Sequence, residues 1–192
     1  MDEPLLVGGA IHHLDILASL ADAPPARVFA RTWNPPWSEF AGNAQALVDV
    51  TFANGVEATY EGAVANASSR NGWGNDYVRA ECRDATLTLD ARTLERVSRD
   101  PDGDPVLAGP RAEDGEELPL ATGEQWMGTR VVGQFLDWLE GGNPMPTHIE
   151  ANLDSTALVF AAAESGRTGE PVDVAAFRDR ALDAARADID GG

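Results

Sequence analysis

The chain has 192 residues, enough for one domain with a real core and few for two, and its 32 acidic residues face 14 basic ones for a formal net charge of -18. That balance repels phosphate backbones and anionic lipid surfaces, so nucleic acid and membrane are not expected as partners. No apolar run reaches bilayer length, Met1 is followed by acidic residues, and Cys82 is the single cysteine, so no membrane span, basic leader or internal disulfide is expected, and the chain reads as soluble and cytoplasmic.

In chain order, Gly8-Gly9 precedes Ile11, Leu14, Leu17 and Leu20 at spacing three, which predicts a helix from Ala10 to Ala21 that stops before Pro24-Pro25. Arg27 to Trp33 reads as a short strand broken by Asn34-Pro35-Pro36. Ala46 to Phe52 and Val56 to Glu61 flank Asn54-Gly55, a hairpin signal in which both turn positions favour positive φ. Asn66 to Asn75 reads as a functional or interface loop, followed by strands at Tyr77–Cys82, Thr86–Asp90 and Leu94–Ser98. Cys82 is expected to be a small apolar filler within its strand.

Asp100 to Glu117 is rich in Pro, Gly and acid and is expected to be a mobile loop, because few apolar groups offset the entropy of ordering it. Thr122 with Gln125 forms a capping box for a helix carrying Met127, Val131, Phe135, Trp138 and Leu139 until Gly141-Gly142. Thr147 and Glu150 form a second box for a third helix running to the Gly166–Gly169 region. Pro171 to Phe177 reads as extended, and 178–192 as an acidic tail with a frayed helix. Consecutive hairpins with helices at both ends predict α+β: a large, mostly antiparallel sheet with helices on one face. The other, open face is expected to meet a second subunit.

All 14 basic residues are Arg. A Lys-free acidic surface points to a halophilic, haloarchaeal-like protein, since molar salt shortens the screening length to roughly 3 Å and suppresses self-repulsion.

The segment Gly9-Ala10-Ile11-His12-His13-Leu14-Asp15 resembles the helix that begins the C-terminal domain core of the Gfo/Idh/MocA oxidoreductases. The run Ala30 to Trp37, the strands around Asn54-Gly55, Phe135 to Gly142 and Ala157 to Val172 follow the same family in order and spacing, from about Leu5 to Phe177. The resemblance implies one domain over 1–177, like the C-terminal domains of glyceraldehyde-3-phosphate dehydrogenase-like proteins. It lines a substrate site and builds a homodimer or homotetramer beside a Rossmann domain that binds NAD or NADP. No G-x-G-x-x-G follows a strand and no Glu-Lys-Pro motif is present, so the chain is expected to lack that cofactor-binding half and to be inactive without it.

The implied chemistry is hydride transfer on a sugar, inositol or related polyol. His12 is implied as the catalytic proton relay, a role imidazole suits because its pKa lies near neutral pH. Many family members carry an Asp four residues earlier; here that position is Gly8, so a relay through Asp15 or water, or no catalysis, stands beside the simple assignment. A non-catalytic sugar-binding or dimerisation module is the alternative function.

Asp15, three residues after His12, is a candidate to orient the ring or to bind substrate, while His13 points about 100° away and is expected to be structural or solvent-facing. Arg31, Trp33, Asn34 and Trp37 supply aromatic faces and hydrogen-bonding groups of the kind a sugar site needs, or a subunit contact. Arg70, Asn71, Trp73 and Asn75 raise the same choice, with Trp73 as substrate contact or lid over a sheet edge, and His148 is placed near a helix start that can reach the cleft. No metal site and no cofactor-binding residue is expected within the chain.

Overall fold

A computed structural model describes residues 2–68, 75–99, 115–120 and 128–191. The chain divides into two compact units, one of residues 1–67 with 140–192 and one of residues 68–139. The class is α+β with antiparallel sheets: every strand pair among the described residues is antiparallel, and the strands form two four-stranded sheets.

The first unit holds β1 (Pro25–Trp33), β2 (Gln45–Phe52), β3 (Glu57–Ala63) and β8 (Val172–Asp173) in the order β3-β2-β1-β8. Ala46, Val48, Val50 and Phe52 are buried while Gln45, Leu47, Asp49 and Thr51 between them are not, the two-residue period of a strand with one covered face. That covered face packs against α1 (Ile11–Ala21) and α3 (Ile149–Thr168), where Leu14, Val28, Phe52 and Leu158 are fully enclosed. Each such side chain contributes about 1.5–3 kcal/mol of hydrophobic burial. Ala157, Ala161, Ala162 and Ser165 are buried on α3, and these small residues let the helix lie close to β1. A Cβ added to Gly166 would come within 2.9 Å of Thr32 Oγ1.

Several local features differ from expectation. The first helix begins earlier, with a π-helical turn over Leu6–Ala10 that includes Gly8 and Gly9 and runs into α1. The β2–β3 connection spans the four residues 53–56, of which Gly55 alone is left-handed, at φ 85. Asn54 does not take positive φ, and its side chain serves another element: Nδ2 donates to the Ala21 carbonyl at 2.8 Å at the end of α1. Thr147 is not the cap of α3; His148 occupies that position, without a capping side-chain bond.

The expected extended run 171–177 is shorter. After β8, Asp173 Oδ1 accepts the Ala176 amide at 2.7 Å and starts α4 (Val174–Asp190), so the acidic tail is a continuous helix through Asp190. Arg178 Nη1 donates to Asp154 Oδ1 at 2.6 Å and ties α4 to α3.

The second unit holds β4 (Tyr77–Glu81), β5 (Ala85–Asp90), β6 (Thr93–Ser98) and β7 (Glu116–Leu118), paired in that order. Glu116 and Glu117, expected in a mobile loop, instead form a strand on β6; the remainder of that loop, 100–114, lies outside the described residues. Cys82 is exposed just past β4 rather than packed inside it. The strand ends at Glu81, one residue short of the thiol, so no pleat turns Cys82 inward. α2 spans Gly128–Leu139, with Val131, Phe135, Trp138 and Leu139 at helical spacing. The Thr122–Gln125 box, Met127 and the loop residues Arg70, Asn71 and Trp73 lie outside the described residues.

Candidate functional site

His12 and His13 open α1, one residue past the π-helical turn. His12 is exposed, and His13 is half-buried with its ring stacked on Tyr60 of β3, 5.4 Å between centroids and 22° between planes. That contact anchors the start of α1 to the covered face of the sheet and leaves His12 outside it.

Asp15 lies one turn further along α1. Its Oδ1 accepts from the hydroxyl of Ser155 on α3 at 2.5 Å, across 140 residues of sequence. Ser155 is buried, at 5 % exposure, so the pair joins the two helices at the edge of the core. The bond occupies one carboxylate oxygen and leaves the residue itself exposed.

His148 sits at the N-cap of α3, half-buried, with Nδ1 at 2.8 Å from the Met145 carbonyl and Nε2 at 3.6 Å from Glu150. Asn152 Nδ2 donates back to the His148 carbonyl at 3.1 Å. Asn152 and Ser155, three residues apart, share one face of the first turns of α3. The Asp15–Ser155 pair thus joins α1, which also carries His12, to α3, which follows His148.

The aromatic candidates separate. Asn34 Nδ2 donates to the Phe40 carbonyl at 2.7 Å and closes the loop after β1. Trp37 Nε1 donates to the Ala65 carbonyl at 2.9 Å, which pins that loop to the segment after β3 and leaves the indole 64 % exposed. Arg31 and Trp33 alternate along β1 with the buried Val28 and Ala30, so they lie on the face turned away from α1 and α3. The structure therefore groups His12, Asp15 and His148 with α1 and α3, sets Asn34 and Trp37 in the loop, and puts Arg31 and Trp33 on the opposite side of the sheet.

Two features escaped the sequence reading. Ser155 carried no signal, being one hydroxyl in a long helix. Glu3 was read only as an acidic residue near the start; its Oε1 accepts from Thr32 Oγ1 at 3.0 Å and Asn43 Nδ2 at 2.7 Å, and Oε2 is buried with no hydrogen-bond partner among the described residues. Among the described residues no three His, Cys, Asp or Glu side chains are grouped so as to hold a metal ion, and no helix is long and apolar enough to cross a membrane.

The described residues do not fit a dinucleotide. All pairings are antiparallel, and the Gly8-Gly9 pair lies inside a helical turn rather than between a strand and a helix, where backbone amides cradle a pyrophosphate.

The fold is that of the C-terminal halves of oxidoreductases. An oxidoreductase from Agrobacterium radiobacter, solved with NAD+, L-tartaric acid and magnesium, superposes with a TM-score of 0.68 at 20% identity over 88% of this chain and 48% of that one. UDP-N-acetylglucosamine 3-dehydrogenase from Acidithiobacillus ferrooxidans gives 0.66 at 17% identity over 86% and 48%. An aldose-aldose oxidoreductase from Caulobacter crescentus, complexed with glycerol, gives 0.66 at 13% identity over 85% and 45%.

In sequence, the chain is 42% identical over 177 residues to the uncharacterized protein y4oX of Sinorhizobium fredii, covering 92% of this chain and 49% of that protein. The chain thus spans about half the length of this relative and of these structures. No family model matches it.

Proposed function

We propose that this chain is the substrate-binding and oligomerisation part of an NAD(P)-dependent oxidoreductase of the Gfo/Idh/MocA type that acts on a carbon of a sugar, inositol or related polyol. In this reading NAD or NADP is held by a separate Rossmann domain. The observation that carries it is the exposed His12 at the start of α1, in a fold shared with half of each of several oxidoreductases. His12 holds and passes the proton of the reacting hydroxyl, Asp15 and His148 present hydrogen-bonding groups on the same pair of helices, and the exposed Trp37 indole supplies an aromatic surface of the kind a sugar needs. Arg31 and Trp33, on the open face, serve a contact with a second copy. The protein works in the cytoplasm of a salt-adapted cell.

Calorimetric titration of the 192-residue chain in molar KCl tests this. Neither NADH nor NADPH should bind, while a sugar or polyol binds and loses about tenfold in affinity on Trp37→Ala, the scale of one stacking contact. Micromolar binding of either dinucleotide, or no binding across a panel of sugars and inositols, refutes the reading.

A second reading is favoured by one position. Gly8 leaves no carboxylate one turn before His12, and Asp15 on the other side is engaged by Ser155. A non-catalytic sugar-binding or dimerisation module accommodates both facts. Sugar binding without NAD(P)-linked turnover, once a cofactor-binding domain is supplied, selects it.

A further inference from the structure

Leu6, Ala10 and Leu14 recur every four residues, have no exposed surface, and seat the beginning of the first helix on the core along one narrow line. Between the first two lie Gly8 and Gly9, which bring no side chain to the contact, in the π-helical turn. Ile11 and Leu17, partly buried, pack beside the line. Apolar contact is non-directional, so such a seam fixes where the helix lies but resists a small roll about its own axis only weakly. The roll matters because His12, two residues before Leu14 and about 160° from it around the helix, is carried on the exposed side.

Two directional contacts fix that roll, one on each flank of Leu14. His13 and Asp15, its neighbours in sequence, point about 100° to either side of it. On one flank the His13 ring stacks on Tyr60 of β3, 5.4 Å between centroids with planes 22° apart. On the other, Asp15 Oδ1 accepts from the Ser155 hydroxyl of α3 at 2.5 Å. Tyr60 and Ser155 are both buried, at 9 % and 5 % exposure, so neither can follow the helix if it turns. A ring stack and a hydrogen bond both weaken with angle, which an apolar seam does not.

β3 is shaped to hold Tyr60 in that place. Tyr60 and Gly62, two residues apart on the strand, point to the same covered face. A Cβ on Gly62 would stand 2.1 Å from the Tyr60 hydroxyl oxygen, so the phenol lies over the bare glycine and any side chain at position 62 pushes it away.

We propose that Tyr60 and Ser155 are positioning residues for His12: they clamp α1 from both flanks, Tyr60 through His13 and Ser155 through Asp15, and so set the direction in which the His12 imidazole faces. The proposal rests on the reading that His12 meets the substrate, and it assigns the side chains that aim it. A side-chain tip about 6 Å from the helix axis that shifts by about 2 Å turns the helix by about 20° and carries the His12 ring about as far. Displacement by about 1 Å is enough to cost a reacting group its alignment.

Residual dipolar couplings of the α1 backbone amides test this on the full 192-residue chain, aligned in stretched polyacrylamide gel in molar KCl. Along a helix these couplings oscillate with the helical period, and their phase marks the roll. A loss of stability alone leaves that phase where it is. Gly62→Ala, which displaces the phenol, and Ser155→Ala, which frees Asp15, should each shift the phase by about 10–20° and move the couplings of the His12 ring C–H bonds with it. Tyr60→Ala should act as Gly62→Ala does, and Tyr60→Phe, which keeps the ring, should hold the wild-type phase. Gly62→Ala and Ser155→Ala remove no large buried group, so they decide the matter if Tyr60→Ala does not fold.

A phase within about 5° of wild type in both Gly62→Ala and Ser155→Ala overturns the clamp. A shift in only one of the two overturns its two-sided form, and a roll that leaves the His12 ring couplings unchanged overturns the link to His12. These couplings need no ligand. A chain that binds no sugar therefore refutes the proposed function and leaves the clamp on α1 standing.

Discussion

Ser165 carries the prediction most directly calculable from the structure. Its side chain is fully buried, its Oγ accepts the Ala30 amide of β1 at 2.9 Å, and it donates to the Glu170 carbonyl at 2.7 Å. The β1–β8 register pairs Arg27 with Asp173 and Val28 with Val172, so the next rung would set Ala30 opposite Glu170. The strand stops short of that rung, and the hydroxyl of α3 is inserted where the ladder bond would be. Ser165→Ala leaves a buried amide and a buried carbonyl without partners at about 1–3 kcal/mol each, partly offset by the lower desolvation cost of alanine, for a net loss of about 2–4 kcal/mol. At roughly 4 °C per kcal/mol for a unit of this size, the melting temperature falls by about 8–16 °C. Thermal unfolding followed by circular dichroism in molar KCl measures this, with Ser155→Ala as the control. Its Asp15 partner is exposed and can turn to water, so it should lose only about 0.5–1.5 kcal/mol. A Ser165→Ala loss no larger than that of Ser155→Ala refutes the argument that the hydroxyl completes the β1–β8 edge.

Other outcomes follow from single contacts. Gly166→Ala, normally favourable within a helix by about 0.5–1 kcal/mol, should here destabilise by about 1 kcal/mol or more, because the new methyl meets a Thr32 side chain held by Glu3 and Asn43. Adding Thr32→Ala should recover most of the loss in a double-mutant cycle. Gly8→Asp restores a carboxylate one turn before His12; nothing lies within 4 Å of the added Cβ, so stability by urea unfolding should stay within about 1 kcal/mol of wild type, on the favourable side for an acid early in a helix. The exposed Glu81 carboxyl titrates below the usual carboxylate range, first because Thr86 donates to it at 2.7 Å and then through Arg79. A lowered folded-state pKa means that its contribution is present above the unfolded value and is lost as pH falls through the folded one, so Thr86→Val should move the Glu81 titration upward in an NMR pH series. Screening of the net charge predicts a melting temperature that rises from low salt to molar KCl, and a flat response argues against salt adaptation.

Much of the fold was legible because its signals are local. The three-residue recurrence of Ile11, Leu14, Leu17 and Leu20 and the alternation on either side of Asn54-Gly55 each state their own element within a dozen residues. The same sequence determined the α+β class, the acidic Lys-free surface and the offset that separates His12 from His13. Where the reading erred, a neighbour overrode the local preference. Asn54 turned its amide to the end of α1 while Gly55 alone took positive φ, and Asp173 capped a helix where an extended run was expected. Glu116 and Glu117, acidic and loop-like by composition, paired because β6 offered an edge.

The candidate site was half legible. His12, His13 and Asp15 could be placed on one helix from their spacing, yet the partner of Asp15 lies 140 residues away, and no pattern within α1 points to it. Arg31 and Trp33 adjoin Asn34 and Trp37 in sequence, but strand alternation turns the first pair to the open face while the chain leaves the sheet with the second. Side-chain periodicity is a property of a few consecutive residues, so the sequence by itself could state which elements form and which residues share a face. Which face of β1 meets α3 and which hydroxyl completes a truncated ladder depend on contacts between distant segments, and these exist only once the chain has folded.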